Sequence, residues 1–326
     1  MATTAKLVME EFMIPAADAG VELYVRNKHE RERSSFASDH ILLYVHGATY
    51  PAETTFDLQL NGLSWMDYIA RRGYDVYLVD VRGYGRSTRP AEMSAPAGAH
   101  APLVRTDTAL RDFAAAVDFV LERRGVEKIN LLAWSWGTSI AGAFTSANND
   151  KVNRLALYAP LWNMPRSSLL ESGPLGAYRV VSREAATRRW FAGVPEAARA
   201  GLIPAGWFDA WAEATFATDP VGAASTPPVL RVPNGALQDA LEIWAAGKAA
   251  YDPAAIRVPT LLVHGQWDAD LPSSVLHALF AQLTRAPCRR CVEIGEGTHS
   301  LMMERHRLQL FRTVQHFLDE ELDAGQ

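Results

Sequence analysis

The sequence predicts an α/β architecture, a mainly parallel, doubly wound sheet with one helical insertion. Two observations carry that reading. Six strand-like apolar runs, Ile41–Val45, Tyr74–Val81, Lys128–Leu132, Val152–Ala159, Thr260–Val263 and Cys291–Ile294, leave room for helices between most neighbours. Apolar runs without polar alternation suit strands covered on both faces, and strand–helix alternation implies parallel strands joined by crossovers. The alternation then fails once, between Ala159 and Arg257. A structureless loop of that length does not fit a compact domain, so the segment is expected to fold as an insert.

The elements follow in order. Leu7–Ile14 and Val21–Val25 form an expected antiparallel edge pair, and the charged stretch Arg26–Asp39 reads as a turn or loop. Ile41–Val45 ends at His46-Gly47-Ala48-Thr49-Tyr50-Pro51, and a helix is expected around Leu63–Arg72. Tyr74–Val81 ends at Arg82-Gly83-Tyr84-Gly85-Arg86-Ser87. Arg105–Arg124 carries Leu110, Phe113, Ala114, Val117, Val120 and Leu121 at helical spacing. The last helix presents Leu308, Phe311, Val314 and Leu318 on one face. The segment between Ala159 and Arg257 is rich in Trp, Ala and Arg, with prolines such as Pro165, Pro195 and Pro204 as breaks, and reads as several short helices. Residues 1–160 and 256–326 are therefore expected to form the core domain, and 161–255 a helical cap folded over one end of the sheet.

Length and charge narrow the partners. A chain of 326 residues fits one domain with an insert, and a net charge of −5 argues against nucleic acid. No run of eighteen apolar residues exists, so no membrane partner is expected, and the start lacks the pattern of a signal peptide, which makes the cytoplasm the expected location. Cys288 and Cys291 have the spacing of a metal or redox pair, but no second Cys or His pair completes a four-ligand site. No metal and no cofactor are expected.

In an open parallel sheet, ligands sit beyond the carboxyl ends of the strands. Three reactive side chains fall there. Ser135 lies in Ala133-Trp134-Ser135-Trp136-Gly137, between a strand and the small-residue helix Thr138–Asn148. A serine on so sharp a turn needs small residues two positions to either side, because the two backbones nearly touch. Asp268 follows the fifth run, and His299 follows the sixth, within Gly295-Glu296-Gly297-Thr298-His299-Ser300. Serine nucleophile, imidazole base and orienting carboxylate are what acyl transfer needs. Asp270 competes with Asp268, which is preferred. His46 and His264 read as structural, and His316 lies too far along the last helix. The fourth run leads into Ala159-Pro160-Leu161-Trp162-Asn163, which offers no acid. Two backbone N–H groups are needed for the oxyanion, and Trp136 and Ala48 are placed to supply them.

With these residues in view, the chain resembles an α/β-hydrolase-fold serine hydrolase with a cap domain, departing at Ala133, where glycine is commoner, and at the unusual Trp134. The resemblance spans nearly the whole chain: the His46-Gly47 turn, the Gly83–Ser87 loop, the serine turn, and the Asp and His loops. It implies hydrolysis of a small carboxylic ester or lactone through an acyl-serine intermediate, and Ser135 argues against the dehalogenases and epoxide hydrolases of the family, which use aspartate. Ser135-Trp136-Gly137 also resembles the serine turn of proline iminopeptidases and of some carbon–carbon hydrolases, so amide and carbon–carbon cleavage stay open. A non-catalytic ligand receptor on the same fold is the reading from another class. Thr49, Tyr50, Trp134, Trp162 and Trp211 are candidates to bind the substrate, expected to be a small molecule with an apolar or aromatic group. Among Arg166, Arg179, Arg183, Arg188, Arg189 and Arg199, one or two are candidates to hold a substrate carboxylate.

Overall fold

A computed structural model of the protein describes residues 6–163 and 174–321. Its strands are β1 (Leu7–Pro15), β2 (Glu22–Glu30), β3 (Ile41–Val45), β4 (Asp75–Val79), β5 (Ile129–Trp134), β6 (Val152–Tyr158), β7 (Tyr178–Val181), β8 (Leu230–Pro233), β9 (Thr260–Gly265) and β10 (Arg289–Ile294). Eight of them make the main sheet, in the order β1-β2-β4-β3-β5-β6-β9-β10. From β4 to β10 neighbouring strands run parallel, while β2 is antiparallel to both β1 and β4. Every residue of β3, β4, β5 and β9 is buried, as their apolar runs require.

The strand order reverses at β3. The chain steps from β3 to β4 in one direction and returns past β3 to reach β5. Because such crossovers are right-handed, the helices Trp65–Ala70 and Thr106–Arg124 fall on opposite faces. On one face Trp65 stacks on Phe311 of the last helix, Arg307–Asp319, with ring centroids 5.0 Å apart. On the other, Phe113 meets Phe144 of the helix Trp136–Ala147 edge-on at 5.6 Å. The reversal also sets the carboxyl ends of β3 and β5 side by side, which opens a crevice between the loops that leave them.

Two sequence expectations change. β2 does not stop at Val25 but runs on through Arg26-Asn27-Lys28, all three buried. Their charges and amide are matched by partners remote in sequence: Arg26 bonds Glu11, Glu53 and Asp57, Lys28 bonds Asp57 and Asp67, and the Asn27 amide donates to Asp75 at 2.8 Å. Buried charge is tolerable when paired in this way. The segment after β6 is not made of helices alone. It contains the antiparallel pair β7–β8 beside the helices Arg183–Trp190 and Trp207–Ala217. Four-residue strands are too short for a periodicity signal. Pro165 and Arg166 lie outside the described residues.

Candidate active site

The serine turn is the most constrained backbone of the site. β5 ends at Trp134, a helix begins at Trp136, and Ser135 between them has φ 55° and ψ −124°. A residue with a Cβ avoids positive φ unless its surroundings hold it there. The Ser135 N–H donates to the Tyr158 carbonyl of the adjacent strand at 2.9 Å, and its carbonyl accepts from Thr138 N–H at 2.8 Å. The smallness of Gly137 is required: a Cβ there would stand 2.6 Å from the His46 carbonyl oxygen. Gly47 is equally confined, since its Cβ would meet the Ser135 Cβ at 2.9 Å.

Three side chains converge at this turn. Ser135 Oγ lies 2.8 Å from His299 Nε2, and His299 Nδ1 lies 2.8 Å from Asp268 Oδ2. A carboxylate only accepts, so Nδ1 carries the proton and Nε2 is left to accept from the serine hydroxyl. The other Asp268 oxygen accepts the backbone N–H groups of Asp270 and Leu271, each at 3.0 Å, which fixes the carboxylate. Behind the imidazole, Trp134 Nε1 and Tyr158 OH both donate to the His299 carbonyl, at 3.0 and 2.8 Å. All three side chains are buried. Burial opposes a charged imidazolium, but the charge and hydrogen bond of Asp268 outweigh it and hold His299 above its ordinary value of 6.5.

The competing groups sit differently. Asp270 makes no hydrogen bond to His299 and instead accepts from Arg189 at 2.6 Å. His46 accepts from Val81 N–H at 3.1 Å and donates to the Gly47 carbonyl at 2.7 Å, and burial pushes its pKa down to about 4, so it is neutral and fully engaged in holding its turn. His264 bonds Glu293 at the end of β9. Ala48 lines a small cavity beside Ser135, and neither its N–H nor that of Trp136 has an acceptor among the described residues.

That cavity measures about 10 Å³ and is bounded by Ala48, Thr49, Tyr50, Trp134, His299 and Trp190, among others. Thr49, Tyr50 and Trp134 thus reach it. Trp211 and Trp162 do not. Trp211 packs edge-on behind Tyr50 at 4.7 Å, and Trp162 donates its N–H to the Tyr251 carbonyl at 3.2 Å. The helix Arg183–Trp190 covers the serine, with Ala186, Arg189 and Trp190 on the cavity wall.

Residues 41–306 match the model of the alpha/beta hydrolase fold family. The chain belongs to that family. Hydrolysis is the activity common to its superfamily. Among characterised proteins, no relative is found by sequence. Solved structures agree on the fold of this α/β hydrolase. A bacterial membrane phospholipase A described as a virulence factor superimposes with a TM-score of 0.62 at 19% identity, covering 95% of this chain and 86% of that one. A serine hydrolase from the polyaromatic-hydrocarbon-degrading bacterium Cycloclasticus zankles gives 0.62 at 13% identity, over 97% and 100%. A thermophilic esterase from Thermogutta terrifontis gives 0.55 at 20% identity, over 95% and 98%.

Sequence reasoning missed one residue of this α/β hydrolase, Glu304. Its carboxylate is fully buried and accepts from Thr298 N–H at 3.1 Å, from the Thr298 hydroxyl, and from Trp190 Nε1 at 2.9 Å. It therefore ties the covering helix to the residue before His299. Burial pushes its pKa up to about 7 against the pull of those donors. The only sequence signal is an acid five residues beyond a candidate histidine, which has no distinguishing chemistry. Among the described residues no helix is long and apolar enough to cross a membrane.

Proposed function

We propose that the protein is a serine hydrolase that cleaves a small carboxylic ester or lactone through an acyl-serine intermediate. The observation that carries the reading is the chain of two 2.8 Å contacts from Ser135 Oγ through His299 to Asp268. In this reading His299 Nε2 takes the hydroxyl proton as Ser135 Oγ attacks the carbonyl carbon, and Asp268 stabilises the imidazolium. The Ala48 and Trp136 N–H groups receive the oxyanion. Collapse of the tetrahedral adduct expels the alcohol, which takes the proton from His299. Water then attacks the acyl-serine by the same route and releases the acid. A lactone differs in keeping its alcohol tethered to the acyl group.

Residues 161–255 act as a cap in this account. Its described part contributes Ala186, Arg189 and Trp190 to the cavity and limits water at the acyl-enzyme. Thr49, Tyr50 and Trp134 contact the reacting end of the substrate, while Trp162 and Trp211 support the cap. The test is a panel of short acyl esters, lactones, amides and aryl diketones, run on the protein and on Ser135→Ala. Turnover of esters or lactones that vanishes in the variant supports the proposal. Turnover confined to amides or diketones replaces the ester reading, and binding of panel members without turnover of any favours a receptor.

A further inference from the structure

A cleft of about 560 Å³ adjoins the small cavity at Ser135 and shares Thr49, Tyr50 and Arg189 with it. The inner cavity has room for at most about one water, so the body of a substrate has to lie in the cleft. The cleft walls carry Arg179, Arg188 and Arg189 against a single carboxylate, Asp270. Arg189 is matched to that carboxylate at 2.6 Å. Arg179 is not. Its guanidinium donates to the carbonyl oxygens of Pro233 (2.9 Å) and Ala48 (2.8 Å), to Thr49 Oγ1 (2.9 Å) and to Asn234 Oδ1 (3.4 Å), all neutral. No carboxylate pairs with it among the described residues. Arg189 Nη1 donates to the same Thr49 Oγ1 at 3.3 Å, so two guanidinium groups converge on one hydroxyl.

Like charges held this close repel, and partial burial strengthens the repulsion. Burial, with the neighbouring Arg189 adding to it, pulls the Arg179 guanidinium down to about 10, still charged at neutral pH. An anion seated between the two would turn the repulsion into two charge-assisted contacts. The place is also adjacent to the chemistry, because Thr49 follows Ala48 and Arg179 itself bonds the Ala48 carbonyl.

We infer that Arg179, Arg189 and Thr49 form an anion subsite, and that the substrate is an ester bearing a free carboxylate a few bonds from the scissile carbonyl. The inference rests on the hydrolase reading above and names its substrate class. It adds a carboxylate to the apolar or aromatic group expected of the substrate and singles out Arg179 and Arg189 from the six candidate arginines.

The experiment compares esters of equal chain length that end in a carboxylate or in a methyl group. Monomethyl glutarate is set against methyl valerate, and 3-acetoxypropionate against propyl acetate, so that the carboxylate is tried on the acyl and on the alcohol side. In the wild-type protein kcat/KM for the anionic member of at least one pair exceeds its neutral partner by about tenfold or more, as one charge-assisted contact allows. That ratio falls towards one in Arg179→Gln and is partly retained in Arg179→Lys. Equal rates within both pairs, or a preference that survives in Arg179→Gln, overturns the subsite. Should Arg179→Gln fail to fold, the wild-type protein decides: glutarate inhibits hydrolysis of the favoured neutral ester competitively, more strongly at low salt than at high, and absence of that inhibition overturns the subsite. The two readings fail separately. Hydrolysis of the neutral esters without anion preference leaves the hydrolase and removes the subsite. Calorimetric binding of glutarate, lost in Arg179→Gln, with no ester turned over leaves the subsite and removes the hydrolase.

Discussion

Ser135 is held at φ 55° by the bonds around it, and a strained non-glycine residue of this kind costs about 1–3 kcal/mol. The strained turn leaves Oγ 2.8 Å from His299 Nε2, so the proposed function and stability oppose each other at one residue. Ser135→Gly should therefore melt higher than Ser135→Ala, and both should lose at least about 10⁴-fold in turnover, since the remaining groups give only residual catalysis. Thermal melts and steady-state rates check the pair. Asp268 and Asp270 separate by pH as well as by rate. The imidazole must be neutral to accept the serine proton, so kcat/KM rises with pH through the His299 pKa, which Asp268 holds above 6.5. Asp268→Asn removes that charge: the rate drops by about 10⁴-fold and the acid limb moves to lower pH. Asp270→Asn retains the His299–Asp268 bond and shifts the limb in the same direction by less. A profile that moves more with Asp270 than with Asp268 would exchange their roles.

At the scale of elements, the covering helix Arg183–Trp190 is fastened to the core through buried polar bonds rather than through apolar contact alone. Glu304 joins Trp190 to Thr298, and Arg189 joins Asp270. Removing Glu304 leaves the Trp190 and Thr298 donors buried without an acceptor, so Glu304→Ala should lower stability by about 1–3 kcal/mol in urea denaturation. The loss depends on pH. The carboxyl titrates at about 7 when folded against an ordinary 4.5, so its contribution is complete at low pH and falls as pH rises through about 7. The difference between wild type and variant accordingly narrows from about pH 4.5 to about pH 7 and levels off above that, and a difference that widens would contradict the assignment. Trp211 belongs to this scale too. It is fully buried between Tyr50, Trp190 and Phe208, so Trp211→Ala should cost about 3–5 kcal/mol and act on stability before selectivity.

Across the whole molecule, what the sequence made legible is what a single strand or turn dictates. The apolar runs at Ile41–Val45 and Thr260–Val263 became strands buried on both faces, and Ser135, Asp268 and His299, each read as following a strand, meet at one rim. The small residue at Gly137 answers a backbone contact that the turn itself demands. Features that depend on partners distant in sequence were not legible. The charged half of β2 became a buried strand because Asp57 and Asp67 arrive from another segment. Arg179 and Arg189 were two arginines among six until folding placed both on Thr49, and Glu304 had no pattern at all. In the proposed reaction Ser135 carries the acyl group between two half-reactions. The most direct measurement of that role is rapid acid quench during turnover of a short acyl ester, followed by peptide mass analysis. One added acyl group is expected on the peptide containing Ser135, absent in Ser135→Ala. Turnover with no acylated peptide, or with the acyl group on another residue, would contradict it.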